Sequence, residues 1–208
     1  MRARILSFVL AAGVTVVLAA PLPGLAQSAA ENWVKPPTAD PSRVKRNDRI
    51  HNLDFLFGAL KVAPNEASGK AIAERIWNVW LGSGGDTTNL LISRVRSAIE
   101  SKDLDLALQL LDGVIAFKPE FVEGWNQRAT VYYMKKDYTR ALGDLAEALK
   151  REPRHFGALF GFGVIMQEFG DEKRALDAYR RALDIDPHMK RVPDLVKELS
   201  VKVEGRDI

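Results

Sequence analysis

The 208-residue chain contains no cysteine. This absence excludes disulfides, thiolate nucleophiles and thiolate metal sites. Histidine is scarce too: the three residues, His51, His155 and His188, form no pair with HExxH-type spacing on one helix, so a histidine-based metal site is not expected. His155 and His188 come shortly after Pro153 and Pro187, and this context favours solvated turn positions for both histidines.

Long apolar runs are missing everywhere except at the N-terminus. Arg2 and Arg4 precede an uncharged stretch at residues 5–20, and prolines and small residues follow it. This order predicts a secretory signal peptide over residues 1–26, and hence a periplasmic protein. The alternative is a retained anchor in the inner membrane formed by residues 5–20, although that run is shorter than the about 20 residues a span needs.

The chain also lacks an excess of either charge. It has 30 basic and 27 acidic residues, and removal of residues 1–26 takes away two arginines and no acid. The mature chain would then carry 28 basic residues against 27 acidic ones, a net charge of +1. Since nucleic-acid binding needs a clustered positive surface, we expect no nucleic-acid partner.

Strand-like alternation of apolar and polar residues is absent as well. Residues 27–46 hold three prolines and few apolar side chains, which is typical of an extended, flexible tether. Trp33 is its one large apolar group, and it either folds back on the domain or serves as a docking anchor. From Asn47 onward the apolar spacing is helical, so we predict an all-α fold.

A fixed pattern recurs every 34 residues in this helical part. The unit at residues 122–155 carries Trp125, Ala129, Tyr132, Ala141, Leu145, Ala148 and Pro153 at its positions 4, 8, 11, 20, 24, 27 and 32. The same positions hold Leu159, Gly163, Met166, Ala175, Tyr179, Ala182 and Pro187 at residues 156–189, and Leu91, Val95, Ala98, Ala107, Leu111, Val114 and Pro119 at residues 88–121. The period therefore predicts three adjoining units.

The residue types at these positions predict a helical hairpin in each unit. Small residues at positions 8, 20 and 27 let two helices approach to about 8–10 Å. The proline at position 32 has no N–H to donate and ends the second helix. Asp103, Asp137 and Asp171 mark the turns and can cap the second helices. A single hairpin cannot bury its apolar face, so the hairpins are expected to stack.

These positions resemble the signature of the tetratricopeptide repeat (TPR) family. The resemblance implies a right-handed α-solenoid with three repeats, at residues 88–121, 122–155 and 156–189. The first repeat is the most divergent. Position 7, where the family usually has leucine, holds Arg94 and Arg128 in the first two repeats.

Two flanking segments complete the predicted architecture. Residues 47–87 form a degenerate helical hairpin that caps the stack, with apolar positions at Ile50, Leu53, Leu56, Phe57, Leu60, Ile72, Ile76, Trp77 and Trp80. Residues 190–208 form a capping helix and tail, with an apolar stripe at Val192, Leu195, Val196, Leu199 and Val203. Terminal helices of this kind are needed to cover the ends of a repeat array.

The glycine-rich stretch Gly82 to Thr88, "GSGGDTT", is the remaining candidate for a chemical motif. It lacks the lysine of a phosphate-binding loop, and no strand precedes it. We interpret it as a flexible joint that ends in a helix cap at Asp86 or Thr87. No catalytic residue, cofactor or metal is predicted for this chain.

The TPR resemblance implies a binding groove on the concave face, lined by first-helix positions 2, 5, 9, 12 and 13. The partner-binding residues expected there are Ile92, Arg96, Ile99, Asn126, Thr130, Tyr133, Met134, Phe160, Val164 and Gln167, and Asn89, Glu100, Glu123 and Glu168 adjoin them. Apolar residues rimmed by polar ones are suited to an extended peptide or a partner helix. The lysine and asparagine with which some family members clasp chaperone C-termini are absent from positions 5 and 9, so that partner class is not expected. The alternative is that the protein's own N-terminal hairpin or tether fills the groove.

The leading hypothesis is an exported, non-catalytic scaffold or adaptor that binds a protein or peptide partner in this groove. The second is a membrane-anchored, self-associating structural component of the cell envelope. An enzyme is the third.

Overall fold

The computed structural model describes residues 49–205, so the predicted signal peptide (1–26) and tether (27–46) lie outside the described residues. Residues 49–205 fold into nine α-helices without a strand, which confirms the all-α prediction for this part of the chain. The helices are α1 (Arg49–Lys61), α2 (Glu66–Gly82), α3 (Asp86–Glu100), α4 (Leu104–Phe117), α5 (Val122–Met134), α6 (Tyr138–Arg151), α7 (Phe156–Glu168), α8 (Glu172–Ile185) and α9 (Val192–Glu204).

The turn inside each repeat has the same construction. The residue before the aspartate takes a left-handed conformation, with φ of 62° at Lys102, 60° at Lys136 and 72° at Gly170. The aspartate side chain then accepts a hydrogen bond from the backbone N–H three residues on: Asp103 from Leu106 (3.0 Å), Asp137 from Arg140 (3.2 Å) and Asp171 from Arg174 (3.0 Å). The predicted caps on the second helices are therefore confirmed.

The prolines also end the helices as expected. The helices α4, α6 and α8 stop at Phe117, Arg151 and Ile185, each two residues before a proline. Between the paired helices the small residues are fully buried, and a Cβ atom added at Gly163 would overlap the Tyr179 ring. The 34-residue pattern thus explains why helices of one repeat lie close together.

Arg128, a departure from the family pattern at position 7, joins the first two repeats. Its guanidinium donates to Asp144 of α6 at 2.8 and 2.7 Å and to Asp112 of α4 at 2.7 Å. The hydrogen bonds that Arg128 donates to Asp144 raise the pKa of Arg128, against the opposing effect of desolvation. Arg94, at the same position of the first repeat, is exposed and has no ion pair within residues 49–205.

The C-terminal helix covers the last repeat, as predicted. Val192, Leu195 and Leu199 of α9 are buried in the apolar core that α7 and α8 share. Arg180 of α8 donates to Glu204 at the end of α9, at 2.6 Å. Helix α9 therefore closes the apolar face that the third repeat would otherwise expose.

The N-terminal hairpin, α1 and α2, was expected to cap the stack, but α2 crosses all three repeats instead. At its C-terminal end Leu81 shares an apolar cluster with Ile92 of the first repeat. At its N-terminal end Glu66 pairs with Lys190, beyond the third repeat, at 3.1 Å. A helix of 17 residues is about 25 Å long, which suits three helix pairs stacked about 10 Å apart.

The glycine-rich joint allows this arrangement. Gly85 precedes α3 with φ of 84°, a conformation that favours glycine, and Lys118 donates to the carbonyl oxygens of Ser83 (2.7 Å) and Gly84 (3.1 Å). The expected cap at Asp86 or Thr87 is wrong: Gly85 holds the cap position, and no side chain caps α3. The joint therefore reverses the chain between α2 and α3 through backbone geometry.

Candidate functional site

Helix α2 lies over first-helix positions 2 and 5 of the repeats. Phe160, at position 5 of the third repeat, lines a cavity together with Trp77 of α2, and Gly157, at position 2, lies against the Trp77 ring. Ile92, at position 5 of the first repeat, packs in the same cluster as Leu81. At positions 2 and 5 the N-terminal hairpin therefore fills the groove, which was the alternative to an open groove.

The ten expected partner-binding residues divide into two groups by exposure. The buried ones are Ile92 (5% exposed), Asn126 (4%), Thr130 (5%), Phe160 (5%) and Val164 (2%). Arg96 is exposed, and Ile99, Tyr133, Met134 and Gln167 are half-buried. Since buried side chains offer a partner little surface, contact with a partner requires the second group, and the role of all ten residues stays a prediction.

We call this second group the open strip: Arg96, Ile99, Tyr133, Met134 and Gln167. It runs along α3, α5 and α7, and Glu100 and Glu168 are exposed beside it. The Tyr133 hydroxyl donates to Glu168 at 3.3 Å, and burial, reinforced by the charge of Glu168, raises the pKa of Tyr133. The open strip is thus apolar and aromatic at its centre and charged at its edge.

The tyrosine of the open strip belongs to a small group of aromatic rings. The Tyr133 and Tyr138 ring centroids are 5.7 Å apart, and Tyr138 meets the ring of Phe169 edge-on at 5.5 Å. Phe169 is largely exposed. These rings extend the apolar surface toward the turns that join the helices of the second and third repeats.

Beneath α2, His155 and Glu123 form a fully buried pair, so the expectation that His155 is a solvated turn residue is wrong. His155 Nε2 lies 2.6 Å from Glu123 Oε1. Its Nδ1 accepts a hydrogen bond from the Ala158 N–H at 2.9 Å and thereby caps α7. Because Nδ1 is an acceptor, the ring proton is on Nε2, which donates to the Glu123 carboxylate.

Two tryptophans of α2 enclose this pair. The Trp80 ring stacks on His155 with centroids 4.1 Å apart and planes at 11°, and Trp77 meets His155 edge-on at 5.3 Å. Asn126 Nδ2 donates to the second Glu123 oxygen at 3.4 Å. Sequence reasoning missed this cluster. Its only sequence signal was the pair of tryptophans one helical turn apart, because Glu123 and His155 are 32 residues apart.

Some polar atoms buried at or near the contact between α2 and the repeats have no hydrogen-bond partner. Four buried side-chain atoms within residues 49–205 have no hydrogen-bond partner: Asn78 Oδ1, Trp80 Nε1, Thr88 Oγ1 and Asn126 Oδ1. Asn78 and Trp80 belong to α2, Asn126 to α5 beneath it, and Thr88 to the first turn of α3 after the joint. A pocket of about 370 Å³ lies between the N-terminal half of α2, helix α7 and the α8–α9 loop.

Within residues 49–205 no group of three or more histidine, aspartate or glutamate side chains is arranged to hold a metal ion. None of the helices in this range combines the length and apolar character of a membrane span. The open strip and the aromatic rings beside it offer apolar, aromatic and hydrogen-bonding contacts.

Comparison with known proteins identifies the family. The tetratricopeptide repeat family model matches residues 126–190. A TPR repeat-containing protein of Rhizobium etli is 39% identical over 153 residues, which is 74% of this chain and 75% of the relative. DnaJ homolog subfamily C member 3 of Gallus gallus is 27% identical over 125 residues, or 59% of this chain and 25% of that protein. The solved Arabidopsis OM64 TPR domain has the same fold, with a TM-score of 0.52, 18% identity, and coverage of 56% of this chain and 96% of the domain. The chain therefore belongs to the tetratricopeptide repeat family.

Proposed function

We propose that this protein is a non-catalytic scaffold that binds a protein or peptide partner along the open strip. The observation that carries the proposal is the pattern of exposure: Ile99, Tyr133 and Met134 remain accessible on the first helices, while the neighbouring residues Ile92 and Phe160 are buried. An apolar patch with charged neighbours is typical of a surface that holds an extended peptide or a partner helix. Family membership supports the same conclusion, since TPR proteins generally mediate protein–protein interaction.

Binding would depend mainly on the burial of these apolar groups. Burial contributes roughly 25 cal/mol per Å² of apolar surface, before the cost of ordering the partner. The charged neighbours, Arg96 and Glu168, would select the orientation of the partner more than its affinity. A partner that follows the open strip would therefore contact all three repeats.

Site-specific photocrosslinking tests this proposal. A photoreactive residue at Ile99 or Met134 should form adducts with one partner protein in cells, identified by mass spectrometry. The matched control is Ala146, an exposed residue of α6 in the second repeat, which should give no such adduct. Equal labelling from position 146, or no adduct from either position of the open strip, contradicts the proposal.

Export is part of the proposal and rests on the N-terminal pattern alone. Signal peptidase would remove residues 1–26 and release the protein into the periplasm. The intact mass of the protein recovered from cells tests this directly, because cleavage removes the first 26 residues. A full-length mass in the membrane fraction would instead favour the anchored alternative.

A further inference from the structure

The first repeat ends the array with an apolar face that no helix within residues 49–205 covers. We call it the end face: Leu90 of α3 with Leu106, Leu110, Gly113 and Phe117 of α4. We propose that two copies of this chain pair through their end faces, with the two α4 helices antiparallel about a two-fold axis. This goes beyond the binding of a partner along the open strip, because it assigns a second surface and identifies its occupant.

Equivalent positions of the second repeat show which way the end face points. A Cβ atom added at Gly124, the equivalent of Leu90, would lie 3.2 Å from a valine of α4 in the preceding repeat. Arg151, the equivalent of Phe117, donates to the carbonyl oxygen of Pro119 in the preceding repeat at 2.7 Å. The hairpin of α1 and α2 takes no such place before the first repeat, where Leu90 and Phe117 are 58% and 66% exposed.

The α4 part of the end face is apolar where the other repeats are mostly charged. Four of its residues, spaced four, three and four apart, share one side of the helix: Leu106, Leu110, Gly113 and Phe117. The same positions hold Arg140, Asp144, Glu147 and Arg151 in the second repeat, and Arg174, Ala178, Arg181 and Ile185 in the third. On α3, by contrast, the outward positions hold Ser93 and Ser97, whose equivalents Gln127 and Val131 are buried. A polar outer surface is usual for a terminal repeat, so the apolar stripe on α4 indicates an interface.

The order of large and small residues along α4 suits pairing with a second α4. In an antiparallel pair centred between Leu110 and Gly113, Leu110 of one copy lies opposite Gly113 of the other, and Leu106 lies opposite Phe117. A Cβ atom added at Gly113 would meet nothing within 4 Å in the single chain, so the space beside it is free for the leucine of the second copy. The glycine lets the two helices approach at the centre of the pair, and Leu106 and Phe117 fill its two ends.

Two other occupants fit the end face less well. One is the chain's own N-terminal segment, but Trp33, Val34 and Val44 are the only apolar side chains larger than alanine, apart from proline, in residues 27–48. These are too few to follow a stripe that is about 16 Å long. The other is the C-terminal end of a second copy, which α9 closes with an exposed polar surface: Asp194, Lys197, Glu198 and Lys202. Pairing of one end face with another instead buries both and closes as a dimer.

The size of the end face predicts a weak dimer. Helices α3 and α4 have 15 and 14 residues, so each is about 21–22 Å long, and paired helices lie about 8–10 Å apart. The end face is therefore about 20 Å across in both directions, which is at the small end of specific protein–protein interfaces. We expect a dissociation constant in the micromolar range.

Sedimentation equilibrium of the protein as recovered from expressing cells tests the pairing. The wild-type chain should change from monomer to dimer as its concentration rises through the micromolar range. Leu106→Arg with Phe117→Arg gives the first repeat the residues that the second repeat has at these positions. Since both side chains are exposed, circular dichroism should show unchanged helicity, while the dissociation constant should rise about tenfold or more. A wild-type chain that stays monomeric, or a variant that dimerises like wild type, overturns the proposal.

Two glycines give a matched pair of single variants. Gly113 and Gly143 are both exposed helix residues at which an added Cβ atom would meet nothing within 4 Å in the single chain. Gly113→Arg should weaken the dimer about tenfold or more, because the arginine fills the space that the second copy needs. Gly143→Arg, on α6, should leave the dissociation constant unchanged. Equal effects of the two variants overturn the proposal.

Cysteine crosslinking tests the antiparallel arrangement. The chain has no cysteine, so Leu106→Cys and Phe117→Cys each introduce a single thiol. Under mild oxidation a mixture of the two variants should form a disulfide between copies. Each variant alone should not, because identical positions would lie about 16 Å apart along the paired helices. A disulfide between two Leu106→Cys chains that forms as fast as the mixed one overturns the proposed pairing.

A photoreactive residue at position 117 identifies the occupant of the end face. It should give an adduct between two copies of the chain. An adduct with residues 27–48 of the same chain would assign the end face to the N-terminal segment, and an adduct with an unrelated protein would assign it to a different partner. Either of these results overturns the proposal, and neither affects the crosslinks expected at Ile99 and Met134 of the open strip.

Discussion

The interface between the paired helices of the repeats differs in kind from the interface between those repeats and α2. In the third repeat, Ala175, Tyr179 and Ala182 are fully buried, and the Tyr179 hydroxyl donates to Gln167 at 2.8 Å. Beneath α2, by contrast, the hydrogen-bonded pair of His155 and Glu123 is enclosed by indole rings, and two polar atoms of Trp80 and Asn126 have no partner. The first interface is close-packed and satisfied, whereas the second combines tight aromatic contacts with unsatisfied groups and a cavity.

This difference predicts that the two interfaces of one small domain differ in stability. Close packing of small residues fixes the two helices of a repeat relative to each other, because a Cβ atom added at Gly163 would overlap the Tyr179 ring. Separating a contact that buries polar atoms without hydrogen-bond partners costs less free energy. We therefore expect α2 to open at a lower free energy than the helices of the repeats.

The largest effect is expected from Tyr179→Ala, which breaks the repeat interface. Tyr179 is fully buried against Gly163 and Phe160, so its removal should cost about 4 kcal/mol of the free energy of unfolding. Urea denaturation measures the loss. Phe169→Ala, at an exposed aromatic residue, is the control and should cost less than about 1 kcal/mol. Similar losses for both variants would contradict the description of Tyr179 as a core residue.

Glu123→Ala should weaken the contact between α2 and the repeats while the repeats stay folded. The substitution leaves the buried His155 Nε2–H without an acceptor, at a cost of about 2 kcal/mol. Hydrogen exchange should rise first in α2 and only later in α6. Glu123→Gln keeps an acceptor oxygen in the same place and should lose less than half as much. Uniform exchange across all helices would mean that α2 and the repeats open together.

Arg128→Met tests the polar contact between the first two repeats. The change removes hydrogen bonds to Asp144 and Asp112 and should cost about 1–2 kcal/mol, because Asp144 is left buried without its charged partner. Arg94→Met makes the same change at the equivalent position of the first repeat, where the side chain is exposed, and should be neutral within about 0.5 kcal/mol. Equal effects at both positions would exclude a structural role for the Arg128 contacts.

Asp186→Asn should have the smallest effect, and its sign depends on pH. Desolvation raises the pKa of Asp186, although the His188 N–H donates to its carboxylate at 3.0 Å. The folded protein therefore favours the protonated acid, so the stability associated with this group is present at low pH and lost as the pH rises through the raised pKa. The variant should melt at a higher temperature than wild type at pH 7 and at the same temperature at pH 3. Asp184→Asn, an exposed neighbour, should show no such difference between the two pH values.

The local features of the fold were predictable, and the contacts between distant segments were not. The proline at position 32 and the aspartate at each turn act on backbone within a few residues of themselves. The end of α6 at Arg151 and the cap that Asp137 provides could therefore be predicted from the local sequence. His155 was assigned wrongly because its partner is 32 residues away in the chain. Arg128 differs from the family pattern, and its explanation required the positions of two aspartates on different helices.

The sequence by itself determined the repeated hairpins, since their spacing depends on the size of side chains at a 34-residue period and on the absence of an N–H in proline. It also determined the caps of the second helices and the absence of any thiol chemistry. Only the tertiary structure decided where α2 lies, because the glycine-rich joint permits many orientations of α2 relative to α3. The observed orientation buries the rings of Trp77 and Trp80 against His155 and Phe156. That burial leaves one half of the implied groove exposed and covers the other.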